Sequence, residues 1–288
     1  MNRKQVFAML LMSGIVFNSF AQNVTEGFSK SPHGLLYKII IDAHKPKANV
    51  GDIIKLNLLY STQNDSVLFS TFDQGIGPVQ FNVSDPTFSG DPMEGFAMLG
   101  QGDSAVFLMS TDSAYKNQDE MPPFAKKGQY IKISVNVLSL MGKEEYDKKQ
   151  KEEAAMQTEL EVKTIEDYLA KNNLKAQKDP SGIYYIVTKQ GEGPRVQSGQ
   201  TVTVNYTGKL MDGTVFDSSL KPGRHPYDVT IGVSQVIKGW HIGIALLNVG
   251  SKGTIIIPSA LGYGSRGSGS QIPPNSILIF DIDVLAAK

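Results

Sequence analysis

Alternating hydrophobic and polar residues mark several segments of the chain as strands. Residues 201–207 alternate in this way, and residues 280–284 and 131–137 show the same pattern. A period of two is typical of an antiparallel strand with one buried face. Asp212 and Gly213 lie between two such segments and favour a tight turn. The chain is therefore predicted to consist mostly of antiparallel sheet.

One short segment has a helical pattern instead. Residues 238–248 place Trp240, Ile244 and Leu247 on one face, and Gly250 follows shortly afterwards. A glycine just beyond the last apolar residue favours the end of a helix there. A sheet with one short helix packed on it belongs to the α+β class.

A second helical segment, residues 143–173, is highly charged. Acidic residues precede lysines by four positions, as Glu144 precedes Lys148, and this order supports a solvated helix. Thr164 and Asp167 resemble a capping box, so a second helical piece is predicted to begin there. The segment could be a spacer or a dimerisation arm. The absence of a sustained heptad pattern favours the spacer.

The second half of the chain repeats the first. Gly34 recurs as Gly182, 148 positions later, and the same offset relates further pairs. These pairs are Tyr37 and Tyr185, Gly51 and Gly199, Pro78 and Pro226, Gly102 and Gly250, and Tyr115 and Tyr263. After the last loop the register slips by one residue, so that Val137 matches Val284. We predict two copies of one domain, residues 31–142 and 178–288, joined by a charged helical linker at residues 143–177.

The N-terminal residues have the pattern of an export signal. Residues 1–4 include the basic Arg3 and Lys4, residues 5–20 are mostly apolar, and small residues lead up to Ala21. This predicts a signal peptide, residues 1–21, that is cleaved after Ala21. A membrane anchor is the alternative, but the apolar segment is short and partly polar for a spanning helix. We expect an exported protein, periplasmic or secreted, without a stable membrane anchor.

Charge and residue counts argue against several function classes. The 28 basic and 28 acidic side chains give no field that would attract nucleic acid or an anionic membrane. Without cysteine there is no disulfide, thiolate chemistry or cysteine-linked lipid. His33, His44, His225 and His241 show no metal-ligand spacing, and no G-x-S-x-G motif accompanies them. We therefore expect neither a metal nor a cofactor.

The segment from Gly262 to Gly267 matches the dinucleotide-binding pattern G-x-G-x-x-G. Such a site requires a helix that begins at the third glycine and holds the pyrophosphate. Residues 268–274 follow instead and end in two prolines. The segment is therefore predicted to be a flexible loop at the rim of a pocket.

The second copy has aromatic residues at separated positions, among them Trp240, the only tryptophan of the chain. Taken singly, they fit the core of a sheet. Asp217 does not, because it follows Phe216 at the end of a strand among apolar neighbours, and a buried carboxylate needs a hydrogen-bond partner. The hydroxyl of Tyr206 is the predicted partner. We expect these residues to line an apolar pocket for a proline side chain.

The second copy resembles FKBP-type peptidyl-prolyl cis-trans isomerases over nearly its whole length. The motifs stand in that family's order and approximate spacing: Asn205-Tyr206-Thr207-Gly208, Asp212-Gly213, Phe216-Asp217-Ser218-Ser219, Val236-Ile237-Lys238-Gly239-Trp240, Ala260-Leu261-Gly262-Tyr263-Gly264, Ile272-Pro273-Pro274 and Leu278-Ile279-Phe280-Asp281. The resemblance implies a sheet wrapped over a short helix. Ser268 stands where many members carry a histidine, and Arg224 is the candidate for the family's loop arginine.

The resemblance also implies the residues of the site. Tyr206, Phe216, Asp217 and Tyr263 would be catalytic. The Tyr263 hydroxyl and the N–H of Ile237 would hold substrate carbonyls, and Asp217 would bond to Tyr206. Trp240 would form the pocket floor, and the remaining substrate-binding residues would be Tyr227, Val236, Ile237, Ile272 and Phe280.

The activity implied by the resemblance is rotation of X-Pro bonds in exported proteins through non-covalent binding in the pocket. Its expected partners are proline-containing unfolded or exported polypeptides, and macrolide ligands of the family are further candidates. A non-catalytic periplasmic chaperone or proline-segment-binding module is the alternative.

The first copy lacks most of these site residues. Leu58, Leu68, Phe69, Val79 and Pro92 stand where the second copy has Tyr206, Phe216, Asp217, Tyr227 and Trp240. Asp91, Pro92 and Glu94 together predict a helix start at this position. We expect the first copy to keep the fold and to lack catalysis.

Overall fold

The computed structural model describes residues 24–72, 76–117 and 121–288, so the predicted signal peptide lies outside the described residues. The chain divides into two compact units between Lys148 and Lys149, which we call the first and second domains. No helix in the described ranges is long and apolar enough to cross a membrane.

The first domain is an antiparallel sheet with two short helices. Its strands are β1 (Ser29–Lys30), β2 (Leu36–Ile41), β3 (Ile53–Thr62), β4 (Val67–Ser70), β5 (Val79–Asn82), β6 (Ser104–Ser110) and β7 (Tyr130–Met141). They lie in the order β1-β2-β6-β7-β3-β4, and β5 also pairs with β3. The helices are α1 (Pro92–Ala97) and α2 (Thr111–Ala114), and α3 (Lys143–Lys171) follows β7.

The second domain repeats this topology strand for strand. Its strands are β8 (Gln177–Lys178), β9 (Tyr184–Lys189), β10 (Thr201–Leu210), β11 (Val215–Ser218), β12 (Tyr227–Thr230), β13 (Lys252–Ile257) and β14 (Leu278–Ala287), and its own helix is α4 (Lys238–Ala245). The order is β8-β9-β13-β14-β10-β11, and β12 also pairs with β10. The predicted duplication and the α+β class with antiparallel sheets are confirmed.

Strand registers extend the equivalence of the domains to single residues. Tyr60 on β3 pairs with Ile133 on β7, whereas Gly208, 148 positions after Tyr60, pairs with Phe280 on β14. Phe280 is therefore the counterpart of Ile133. The offset of 147 between them reflects the slip in the last loop.

Helix α4 lies close against β13. Trp240 and Ile244 are buried on this face, as predicted. A Cβ at Gly243 would lie 2.7 Å from Ile255 Cδ1, which explains why a glycine stands inside the helix despite costing about 1 kcal/mol in helix propensity. The helix ends at Ala245, three residues before the predicted end at Asn248. The N–H groups that follow bond to carbonyls three residues earlier in place of the α-helical spacing of four.

Helix α3 is continuous, so the prediction of a new helix start at Thr164 is wrong. The Thr164 hydroxyl donates to the Leu160 carbonyl one turn earlier instead of capping a helix. Ion pairs such as that of Lys163 with Asp167 lie on its exposed side.

The second half of α3 is not fully solvated. Ile165 and Leu169 are buried in a cluster with Tyr184, Ile256, Ile277 and Ile279. Ile256 points to this cluster, whereas Ile255 and Ile257 belong to the core beneath α4, so the second domain's sheet is covered on both faces. The end of α3 is thus part of the second domain. The role of residues 143–177 as a spacer stays a prediction.

Candidate active site

Three strands and α4 bring the aromatic residues of the second domain together. Tyr206 lies on β10, Phe216 on β11, Phe280 on β14 and Trp240 in the first turn of α4. Gly208 makes this assembly sterically feasible, because a Cβ there would lie 2.6 Å from the Phe216 ring and 2.7 Å from the Phe280 ring. The glycine in the Asn205–Gly208 motif is therefore required by ring packing.

Three aromatic rings meet Trp240 edge to face. Its centroid lies 4.9 Å from that of Tyr206, 5.4 Å from that of Phe280 and 5.9 Å from that of Tyr227, at interplanar angles of 77° to 85°. Phe216 and Phe280 are similarly arranged, 5.6 Å apart. Such T-shaped contacts are favourable and fix each ring's orientation. The result is an apolar box of rings in which Trp240 is 5% exposed. The role of Trp240 as the pocket floor stays a prediction.

All ten predicted site residues line one cavity of about 490 Å³. They are Tyr206, Phe216, Asp217, Tyr227, Val236, Ile237, Trp240, Tyr263, Ile272 and Phe280. The structure brings them together, and their individual roles stay predictions. Arg224, Gln235, Ser268 and Gln271 also line the cavity. The two glutamines were missed, although each directly precedes a predicted wall residue.

Three side chains at one side of the cavity, those of Tyr206, Asp217 and Arg224, form a polar group. The Tyr206 hydroxyl donates to Asp217 Oδ2 at 2.6 Å, which confirms the predicted partnership. Arg224 Nη2 lies 3.0 Å from Asp217 Oδ1 and 3.3 Å from the Tyr206 hydroxyl. The Asp217 side chain is 42% exposed, so burial does not by itself force this pairing. Burial, followed by the bond to Asp217, raises the pKa of Tyr206 to about 12, so the hydroxyl is a neutral donor.

Two further donors are available to a bound substrate. Ile237 is the N-cap of α4, and within the described ranges its N–H makes no hydrogen bond. The Tyr263 side chain lines the cavity and is 39% exposed as a residue. Burial raises the pKa of Tyr263, and the charge of Asp217 adds to the effect, so this hydroxyl too is neutral.

The glycine-rich loop lies at the cavity rim but is closed by hydrogen bonds. Ser268 and Ile272 exchange backbone bonds of 2.8 and 3.1 Å, and Asn275 N–H donates to the Gly264 carbonyl at 2.8 Å. Gly267 adopts a φ of 66°, a conformation that favours glycine. The glycines thus serve turn geometry, and the flexibility of the loop stays a prediction. A 3-10 turn, Gly264–Arg266, stands in place of a dinucleotide-binding helix.

The same place in the first domain is occupied differently. Leu58 is 1% exposed and belongs to the core, and Phe69 packs edge-on against Tyr60 at 6.1 Å. The predicted helix start is confirmed, because Asp91 accepts the Met93 N–H at 3.0 Å and Pro92 opens α1. Pro92, the counterpart of Trp240, thus opens its helix, whereas Trp240 is the third residue of α4.

Comparisons with known proteins place the similarity in the second domain. The sequence model of the family described as FKBP-type peptidyl-prolyl cis-trans isomerase matches residues 193–285. FK506-binding protein 1 of Dictyostelium discoideum is 42% identical over 107 residues, which make up 37% of this chain and 99% of that protein.

Longer relatives are matched only in part. The FKBP-type peptidyl-prolyl cis-trans isomerase FkpA of Aeromonas hydrophila is 44% identical over 125 residues, 43% of this chain and 45% of that protein. The chain spans between 29% and 45% of the length of several such relatives. The crystal structure of AtFKBP13 is 38% identical, with 40% of this chain and 99% of that chain covered and a TM-score of 0.38.

Proposed function

Because the chain belongs to the family of FKBP-type peptidyl-prolyl cis-trans isomerases, we propose that its second domain accelerates rotation about X-Pro bonds of polypeptides bound in the cavity. The observation that carries the proposal is the convergence of ten separately placed residues on one aromatic cavity within the region that the family matches. The proposed substrate is a proline-containing segment of an unfolded chain.

The chemistry follows from amide resonance. Rotation of a peptide bond faces a barrier of about 18–20 kcal/mol because the planar amide has partial double-bond character. An X-Pro bond therefore isomerises over tens to hundreds of seconds without a catalyst. In the twisted state the bond has lost this resonance and much of its dipole. An apolar site that excludes water suits the twisted amide better, relative to the planar one, than water does.

The aromatic box supplies that environment. Trp240 at its base and the edges of Tyr206 and Phe280 offer a preformed apolar surface to the proline ring. Because these rings hold one another in place, they need not reorganise when the substrate binds. Phe216 forms the wall next to Asp217 and is partly exposed, so it can meet the residue beside the proline.

Hydrogen-bond donors fix the bend of the bound segment. The unpaired N–H of Ile237 is suited to one substrate carbonyl, and the neutral hydroxyl of Tyr263 to another. The Tyr206 hydroxyl donates to Asp217 and accepts from Arg224, so these two side chains occupy the polar tip of its ring. Each group holds or orients the substrate, and none forms a covalent bond.

We further propose that the protein acts after export, on exported clients in the periplasm or outside the cell. This rests on the sequence pattern of residues 1–21 alone. N-terminal sequencing of the mature protein tests it, and a chain that retains Met1 would contradict it. Macrolides that bind members of the family are proposed as ligands of the same cavity.

The proposed activity is tested by the rate of cis–trans exchange of a short X-Pro peptide with the full chain. We expect catalysis, and we expect Phe216→Ala to lower kcat/KM by about tenfold or more, which corresponds to at least about 1.4 kcal/mol of transition-state stabilisation. The matched change in the first domain, Leu68→Ala, should leave kcat/KM unaltered. An unaltered rate in Phe216→Ala and Asp217→Ala would show that the site is wrong.

The rival function, a non-catalytic chaperone or proline-binding module, gives a different result. The chain would then suppress aggregation of an unfolded protein without changing the exchange rate of the peptide. The joint presence of Asp217, Tyr263 and Trp240 in the cavity favours the enzyme, since holding an apolar segment does not require all three.

A further inference from the structure

Helix α3 contacts the second domain through a buried carboxylate. Glu161 is 4% exposed. It accepts hydrogen bonds from the Ser259 N–H at 2.7 Å, from the Ser259 hydroxyl, and from Gln157 Nε2 at 2.7 Å. Within the described part of the chain, no lysine or arginine forms an ion pair with it. The carboxylate is therefore stabilised in the interior by directional hydrogen bonds.

Ser259 begins the segment that carries Tyr263. It opens a 3-10 turn, Ser259–Leu261, directly after β13 and Pro258. The N–H groups that open a helical turn have no partner within the turn, and Glu161 supplies one. The Gly262 N–H then bonds to the Ser259 carbonyl at 2.9 Å, and Tyr263 follows. Tyr263, with the proposed donor hydroxyl, thus lies four positions after the residue that contacts the carboxylate.

Helix α3 packs against the second domain's sheet next to Glu161. Glu161, Ile165 and Leu169 are spaced by four residues and lie on one face of α3. The two apolar members are buried on the outer face of the sheet, and Glu166 accepts the Tyr184 hydroxyl at 3.0 Å beside them. Glu161 therefore projects from a fixed element onto the start of the turn.

The first domain anchors the equivalent turn through different contacts, with no carboxylate bound to the residue that opens it. Thr111, the counterpart of Ser259, opens α2, which is followed by Tyr115. Its hydroxyl lies 2.7 Å from the Lys126 carbonyl and 2.9 Å from that of Gln129, both in the same domain. The first domain thus fixes this turn from residues 126–129, whereas the second domain fixes it from α3.

A contribution to stability does not by itself explain why a carboxylate is buried at this position. Burying a charge costs desolvation energy, and apolar residues of similar volume at such places often stabilise a protein at least as well. A carboxylate differs from apolar residues because its hydrogen bonds are directional. Here they hold two donors of one residue at a defined position. This property matters where a neighbouring group must be held in place.

We propose that Glu161 is a positioning residue for the reaction: it holds the Ser259–Leu261 turn so that the Tyr263 hydroxyl points into the cavity. The end of α3 is then part of the catalytic unit. This inference rests on the proposed isomerase function. Glu161 would affect catalysis by positioning Tyr263, without contacting the substrate.

The test compares Glu161→Leu, Glu161→Gln and a control, Glu159→Gln, on the exposed side of the same helix, all in the full chain. Activity is measured well below the unfolding transition, where a merely stabilising role leaves kcat/KM unchanged. We expect Glu161→Leu to lower kcat/KM about tenfold and Glu161→Gln, which keeps one acceptor oxygen, to restore most of it. The control should match the original chain. In a Tyr263→Phe background, Glu161→Leu should have no further effect.

Hydrogen exchange of the Gly262 amide provides a readout that does not depend on catalysis. We expect this amide to exchange faster in Glu161→Leu than in the control. If the original chain does not catalyse exchange of the peptide, the proposed function fails, and the Gly262 amide still decides whether Glu161 holds the turn. Unchanged Gly262 exchange, an unchanged kcat/KM in Glu161→Leu, or an equal loss in the Tyr263→Phe background would each overturn the inference.

Discussion

In both domains a backbone N–H on the third strand donates to a hydroxyl 13 residues later. Leu58 donates to Thr71 Oγ1 in the first domain and Tyr206 to Ser219 Oγ in the second, each at 2.9 Å. The strand orders are the same, but the residues around the cavity differ as a set. The pairs are Leu58 and Tyr206, Tyr60 and Gly208, Leu68 and Phe216, Phe69 and Asp217, Ile76 and Arg224, and Pro92 and Trp240.

The difference separates what the fold needs from what the cavity needs. The three members of the polar group, Tyr206, Asp217 and Arg224, are all replaced by apolar residues in the first domain. Removing only one of them would leave a polar partner without its hydrogen bond, which is costly where it is buried. Joint replacement avoids that cost. The sheet therefore forms without the polar group, which marks it as a feature of the site.

The largest effect is expected from Phe280→Ala and its counterpart Ile133→Ala. Phe280 is 3% exposed and contacts three aromatic rings, so its loss should destabilise the second domain by about 3–5 kcal/mol. Urea unfolding followed by fluorescence measures this directly, because Trp240 is the only tryptophan and lies in the second domain. Peptide exchange should be lost as well.

Ile133→Ala should destabilise the first domain and leave the second domain and its activity unchanged. Ile133 is fully buried, so the first domain loses about 2–5 kcal/mol, detected by hydrogen exchange of β7 amides. Trp240 fluorescence and kcat/KM should stay unchanged. A loss of activity comparable to that of Phe280→Ala would contradict the assignment of catalysis to the second domain.

The sequence was sufficient to predict the duplication, the strands and the cavity walls, because each leaves a local pattern. Alternation marks the strands, and the repeat offset marks the domains. Motif order marks the walls through the family resemblance. The cap formed by Asp91 and Pro92 was also predictable, since N-cap chemistry is local.

What could not be predicted depends on contacts distant in sequence. Glu161 is buried against a partner 98 residues away in the sequence. From the sequence alone, its charge indicated an exposed position on a solvated helix. Thr164 and Asp167 fit a capping box, yet burial of Ile165 and Leu169 against the sheet keeps the helix continuous. In both cases tertiary packing outweighed a local signal.

A smaller effect is expected from Gly208→Ala, which tests why the domains differ at this position. The new Cβ would collide with the rings of Phe216 and Phe280, and overpacking of this kind costs about 1–3 kcal/mol. The loss is measured by Trp240 fluorescence in urea. Adding Phe216→Leu, the residue type of the first domain, removes one of the two collisions and should restore part of the stability but not isomerase activity. Recovery of both would mean that the Phe216 ring has no role in the reaction.

Tyr206→Phe is expected to cost less, about 0.5–1.5 kcal/mol for one hydrogen bond, because Arg224 and the Ser218 N–H still satisfy Asp217. It also has a pH signature. The pKa of Tyr206 is about 12 in the folded protein against an ordinary value of about 10. Its contribution to stability is therefore complete below pH 10 and is lost as the pH rises through 12. Stability should fall more steeply over this range in the original chain than in Tyr206→Phe, and parallel curves would contradict the assignment.

The smallest effect is expected from Arg224→Gln. Arg224 and Asp217 are 50% and 42% exposed, and ion pairs of this kind contribute about 0–1 kcal/mol that salt screens further. We expect a small fall in the urea midpoint at low salt that disappears at high salt, and a change in kcat/KM of less than about threefold. The matched change, Ile76→Gln, lies outside the cavity and should leave kcat/KM unchanged. If Arg224→Gln instead reduced activity as much as Phe216→Ala, the arginine would contact the substrate, and the polar group would have to be assigned to substrate binding rather than to support of Tyr206.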